Sequence, residues 1–211
     1  MWRGQCQIYL KFKIWLLNNK LLLGSSNPGK LKEIKFYLNY FNLFNDYEVI
    51  TTKNLEKHEE PVENAATFEE NAKIKSQFYF KLTANTTISD DSGFIIDELH
   101  DYPGIKTARV AKELGGEQKV MDHIFSQFKD RAEINATFYC SLSLVSINKN
   151  LNCLGNVKGK MIPHKKGNNG FGYDPYFIPN LETQTYAEMT NEKKLISSHR
   201  FSAFQILSNQ M

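Results

Sequence analysis

Lys20-Leu21-Leu22-Leu23-Gly24-Ser25-Ser26-Asn27-Pro28-Gly29-Lys30 reads as a strand, a turn and a helix start in succession. Three leucines form a buried strand that runs into a Gly-Ser-Ser turn. Asn27 or Ser26 can cap the helix, Pro28 suits its first turn, and Leu31, Ile34, Leu38 and Phe41 recur at helical spacing. Working outward, residues 47–51 predict a second short strand, and the acidic, aperiodic residues 54–66 a loop. Thr67-x-x-Glu70 is a capping box that opens a second helix, with Phe68, Ala72, Tyr79 and Leu82 on one face. Thr86 to Ser89 reads as a short strand ending at Asp90-Asp91, just before a turn at Gly93. Residues 94–98 read as extended and 116–129 as helical. Residues 133–147 and 151–162 read as long strands around Asn148-Lys149-Asn150, and a last helix begins near Ser198. Helices mixed with a clear hairpin predict an α/β fold on a mixed sheet rather than a strictly parallel one.

With 211 residues the chain has room for one substantial domain. We place that domain at 20–211, with residues 1–19 an extension outside it. The apolar run at residues 8–17, IYLKFKIWLL, carries Lys11 and Lys13. It is shorter than the ~20 residues of a spanning helix, and no small-residue cleavage site follows it. The expectation is a cytoplasmic protein without a membrane anchor. A formal net charge of only +3 excludes a strong nucleic-acid footprint. Cys6, Cys140 and Cys153 are odd in number and show no C-x-x-C spacing, so they predict reduced thiols, not a disulfide framework or a zinc site.

Four groups carry chemistry. Gly24 to Lys30 matches G-x-x-x-x-G-K, but Leu31 stands where a P-loop needs Ser or Thr for magnesium. Backbone N–H groups and Lys30 at a helix start still make an anion site; the alternative is a capped turn with a solvated lysine. Asp90-Asp91 at a strand end offers hard oxygens to magnesium, which takes one or two carboxylates plus phosphates and water. Side chains alternate along a strand, so one of the two acids faces a given cleft. Glu63 and Glu70 are candidate partners, although the capping box accounts for Glu70. Phe171 and Tyr173 around Gly172, with Asp174-Pro175 fixing the turn, can stack on a base or pack a core. Lys194, His199 and Arg200 suit phosphate and carbonyl groups, or simply open a charged helix.

Five blocks in order carry a resemblance: SSNPGK at 25–30, TFEENAKIK at 67–75, SDDSGFIID at 89–97, GFGYDPYFIP at 170–179 and AEMTNEKKLISSHR at 187–200. Together they resemble the inosine triphosphate pyrophosphatase-like (Ham1/RdgB-like) family over about residues 20–210. The resemblance implies an elongated α/β fold with a long curved mixed sheet, two lobes and a cleft between them. It further implies a homodimer, magnesium, and hydrolysis of ITP, dITP and XTP to the monophosphate and pyrophosphate. It gives Ser25, Ser26, Asn27, Pro28, Gly29 and Lys30 to phosphate. Asp91 becomes proton acceptor and metal ligand, Glu63 the second metal acid, and Ser92 a substrate contact. Phe171, Gly172, Tyr173, Asp174, Lys194, His199 and Arg200 complete the pocket, with Arg200 expected to donate to the 6-carbonyl of the base. Ser26, Ala65 and Lys106 depart from the family pattern. The competing readings are a P-loop-like phosphatase that releases orthophosphate and an inactive nucleotide-binding module.

Overall fold

The computed structural model describes residues 19–128 and 131–211. The extension expected at the N-terminus therefore lies outside the described residues, except Asn19, whose carbonyl accepts the Glu48 N–H. Seven strands form one sheet: β1 (Lys20–Leu23), β2 (Glu48–Thr51), β3 (Thr86–Ile96), β4 (Tyr102–Pro103), β5 (Ile134–Val145), β6 (Asn150–Met161) and β7 (Phe177–Pro179). Their order is β2-β1-β3-β5-β6-β7, with β4 pairing to β3 off this path. β1 is parallel to β2 and β3, whereas β3, β5, β6 and β7 run antiparallel in succession. The mixed α/β sheet expected from the hairpin is the observed one.

Six helices flank it among the described residues: α1 (Pro28–Tyr40), α2 (Phe68–Thr83), α3 (Thr107–Leu114), α4 (Glu117–Phe125), α5 (Asn191–Ser197) and α6 (His199–Gln210). Three start on side-chain caps of the expected kind. Asn27 accepts from the Lys30 N–H, Thr67 from Glu70 and Ser198 from Phe201. The Glu70 carboxylate accepts from the Thr67 hydroxyl, so it closes the helix start rather than facing a metal.

Two apolar clusters divide the interior. One joins Leu21, Ile34, Leu38, Ile88, Leu142 and Phe204. The other joins Phe94, Val120, Ile124, Phe138, Met161 and Phe177. β3 and β5 contribute to both, so the strand pair spans the boundary between them.

Three expectations need correction. β3 does not stop at the paired acids; it runs eleven residues through them, with Asp90 opposite Leu142 and Asp91 opposite Ser141. Gly93 is therefore mid-strand, not in a turn. It is there because a Cβ would lie 2.5 Å from Thr107 Oγ1 and 2.8 Å from the Gly104 carbonyl. On α2, Leu82 is half-exposed, while Asn71, Lys75 and Ser76 are buried, because this face meets polar groups of the sheet. The single helix expected at 116–129 is α4, with α3 before it and Gly115-Gly116 between them, both at positive φ.

Candidate active site

A cleft of about 510 Å³ opens where the two clusters meet. Every residue to which the resemblance gives a catalytic, metal or binding role lines it except Pro28 and Gly29, which open α1 beside it; Asp90 and Glu70 do not line it. Gly29 passes directly beneath Phe171: a Cβ there would come within 2.6 Å of the ring. That contact ties the 24–30 turn to the aromatic loop. Gly170 and Gly172 take the left-handed conformation at φ 75° and 58°, which glycine adopts without penalty. The loop so formed lets Asp174 Oδ2 accept the Phe171 N–H at 2.8 Å.

The vicinal acids do point apart, as strand alternation requires. Asp90 is fully buried, and its Oδ2 faces Lys30 Nζ at 3.2 Å and Arg200 Nη2 at 3.0 Å. Burial alone would raise its pKa, but Lys30, Arg200 and Lys75 outweigh that and hold it well below the usual carboxylate range. Asp91 lies on the cleft wall with Lys75 Nζ at 3.7 Å. Its pKa is raised, chiefly by burial and in part by Glu63, against the pull of Lys75 and Lys30. Asp91 Oδ2 is buried without a partner. Lys75 also binds Glu63 at 2.8 Å, so one ammonium sits between the two expected metal acids. Asp91, with Oδ2 unpartnered and Oδ1 turned to the ammonium that also binds Glu63, fits the one or two carboxylates that magnesium takes from protein.

Arg200 occupies a place that sequence reasoning did not foresee. It is fully buried, with Nη1 on Glu33 and Nη2 on both Asp90 and Ser92 Oγ, the latter at 3.1 Å. Only its Nε lacks a partner. Glu33 reaches Lys194 with its other oxygen, and Lys194 reaches Asp174 at 3.0 Å. A continuous chain of charges, buried except at its Lys30 end, thus runs Lys30–Asp90–Arg200–Glu33–Lys194–Asp174. Glu33 was missed because a glutamate on a helix ordinarily faces water. The available signal was Lys30, Glu33 and Tyr37 at i, i+3 and i+7, one stripe of α1. Lys75 lay inside the TFEENAKIK block but was given no role.

The aromatic loop divides its labour. Phe171 carries Lys194 Nζ 4.8 Å above its ring. Tyr173 is nearly buried and packs on Phe94, with centroids 4.7 Å apart. Its hydroxyl and His199 Nδ1 are buried without partners. His199 is held neutral: burial first, then Arg200 and Lys194, push its pKa well below the ordinary imidazole value. Of the three departures, Ser26 is exposed at the rim. The Ala65 N–H donates to Asn71 Oδ1 at 3.0 Å, which fixes the segment bearing Glu63. Lys106 lines a separate cavity, not the cleft. Cys140 and Cys153 are free thiols, and burial pushes the Cys140 thiol up to about 12.

Fold and site together define an α/β protein with buried acids and cations gathered at a cleft between two cores. The chain belongs to the Ham1 family, whose model matches residues 21–210. It is 36% identical over 192 residues to a dITP/XTP pyrophosphatase of Zymomonas mobilis, covering 89% of this chain and 90% of that one. It is 33% identical over 196 residues to the dITP/XTP pyrophosphatase of Bacillus subtilis, covering 92% and 97%. The solved Ham1 protein of Staphylococcus aureus superposes with a TM-score of 0.78 at 31% identity, over 90% of this chain and 97% of that one.

Proposed function

We propose that this chain hydrolyses the triphosphates of deaminated purines (ITP, dITP and XTP) to the nucleoside monophosphate and pyrophosphate, using magnesium. The observation that supports it most is Asp91: a buried carboxylate with one unpartnered oxygen, its pKa raised, set opposite Glu63 on the wall of the cleft. A base poised in this way can accept the proton of a water attacking the α-phosphorus. The 24–30 turn and Lys30 hold phosphate at the start of α1. Phe171 covers one end of the cleft, and Lys194 lies over its ring. Magnesium, held by Glu63 and Asp91, would neutralise phosphate charge and acidify the water. Lys75, which pairs with both carboxylates here, would then be available to phosphate oxygens.

Base selection follows from the donors still free beside the cleft. A 6-carbonyl accepts from a donor, whereas the 6-amino group of adenine would leave that donor unpaired. Arg200 retains Nε for this role, and Tyr173 Oη and His199 Nδ1 are the other unpaired groups. We further place the protein in the cytoplasm as a homodimer. The deciding assay incubates the protein with ITP, XTP or ATP plus magnesium and scores the products. Pyrophosphate from ITP and XTP, with little from ATP, is the expected result. Orthophosphate would indicate cleavage at the γ-phosphate, and no turnover would indicate a binding module.

A further inference from the structure

The cleft holds five cationic side chains, and four of them are already matched. Lys30 faces Asp90, and Lys75 faces Glu63 and Asp91. Lys194 faces Glu33 and Asp174, and Arg200 faces Glu33 and Asp90. Each has its charge largely cancelled by a carboxylate in contact. Arg109 is the exception. It lines the same cleft from the first turn of α3 and is exposed, and among the described residues no carboxylate oxygen lies within ion-pair distance of it. Its one side-chain bond runs from Nη2 to the main-chain carbonyl of Glu63. A guanidinium has five N–H donors in a planar fork, so most of its capacity is uncommitted.

We propose that Arg109 is a substrate-binding residue that takes the terminal phosphates of the nucleotide, the part that leaves as pyrophosphate. The inference rests on the reading that a nucleoside triphosphate fills the cleft. Position supports this choice of phosphates. Arg109 is fastened to Glu63, and Glu63 is separated from Asp91 by the Lys75 ammonium. A side chain anchored there meets phosphates beyond the one next to Asp91. Charge supports it too: a triphosphate brings several negative charges to a wall whose other cations are balanced. Exchanging a neutral carbonyl for a phosphate is favourable, because a bidentate guanidinium–phosphate pair is stronger than a single bond to a neutral acceptor. The monophosphate product lacks the groups that Arg109 would hold. Arg109 therefore favours triphosphate entry without retaining the monophosphate.

The test is calorimetric titration of wild type, Arg109→Ala and Arg109→Lys, each with magnesium and three probes: α,β-imido ITP, inorganic pyrophosphate and IMP. Arg109→Ala should weaken the imido analogue and pyrophosphate by at least about tenfold, and IMP by less than about twofold, with Lys restoring part of the loss. Equal weakening of all three probes would reduce Arg109 to a general support of the cleft and overturn the proposal. So would unchanged affinity for pyrophosphate with a lowered Tm or weaker magnesium binding, which would make Arg109 only a fastening for the Glu63 segment. Arg109 is exposed, so the variants should fold, and a thermal melt checks that they do. A wild type that binds none of the probes and releases no pyrophosphate from ITP sinks the functional reading itself, an outcome distinct from a failure confined to Arg109.

Discussion

Asp90 and Asp91 share a peptide bond but have opposite roles. Asp91→Asn keeps the shape and removes the base, so kcat should fall by at least about 10²-fold while the fold persists. Asp90→Asn leaves the buried Arg200 and the partly buried Lys30 without their shared counter-charge. Breaking a buried pair of this kind costs about 3–5 kcal/mol, to be read from denaturant unfolding. Near-normal stability would mean that Lys30 finds another partner. His199 gives a pH signature. Its folded pKa lies below the ordinary ~6.5 of an unfolded chain, so as pH falls the unfolded state takes the proton first. Its contribution is fully present above ~6.5 and declines below that by about 1.4 kcal/mol per pH unit until the folded pKa is reached. Asp91 and Asp174, both raised chiefly by burial, act with the opposite sign at lower pH. The difference between wild type and His199→Gln isolates the histidine. Parallel stability curves for the two between pH 7 and 5 would refute the assignment.

At the scale of elements, the packing of β3 against α3 is the most exacting contact. Gly93→Ala would set a methyl against Thr107 Oγ1 and the Gly104 carbonyl, one of them backbone, so α3 must retreat. The expected cost is about 1–3 kcal/mol, seen as a lower Tm, together with weaker substrate binding because Arg109 moves with α3. A Tm equal to wild type would show that α3 yields without strain. The strand-turn-helix of 20–40 and the β5–β6 hairpin were legible because their signals are local: leucines in a row, Asn27-Pro28 at a helix start, a polar turn between long apolar-rich strands. The continuation of β3 was not legible. Ser89-Asp90-Asp91-Ser92-Gly93 has the composition of a turn, and it stays extended because cations from α1, α2 and α6 meet its carboxylates. Glu33 was hidden for the same reason, since both its partners lie more than 150 residues away. The short helices α3 and α5 offered too few residues for periodicity to register.

Across the whole molecule, removing residues 1–18 should leave the fold and the pyrophosphatase assay unchanged, because the described sheet begins with Asn19 and Lys20. Loss of soluble protein or of most activity on deletion would place that segment in the fold. Among the described residues no helix is long and apolar enough to cross a membrane. The buried charge chain bears on how the protein is made. Glu33 and Asp90 emerge from the ribosome well before their shared cation, Arg200, which lies 167 and 110 residues further along the chain. Until α6 is translated and docks, the first two-thirds of the site would have to bury carboxylates with nothing opposite them, and water is the better host. An interrupted chain should therefore stay open and accessible to proteases rather than settle into a half-formed nucleotide site. Arrival of α6 and completion of the site become one event.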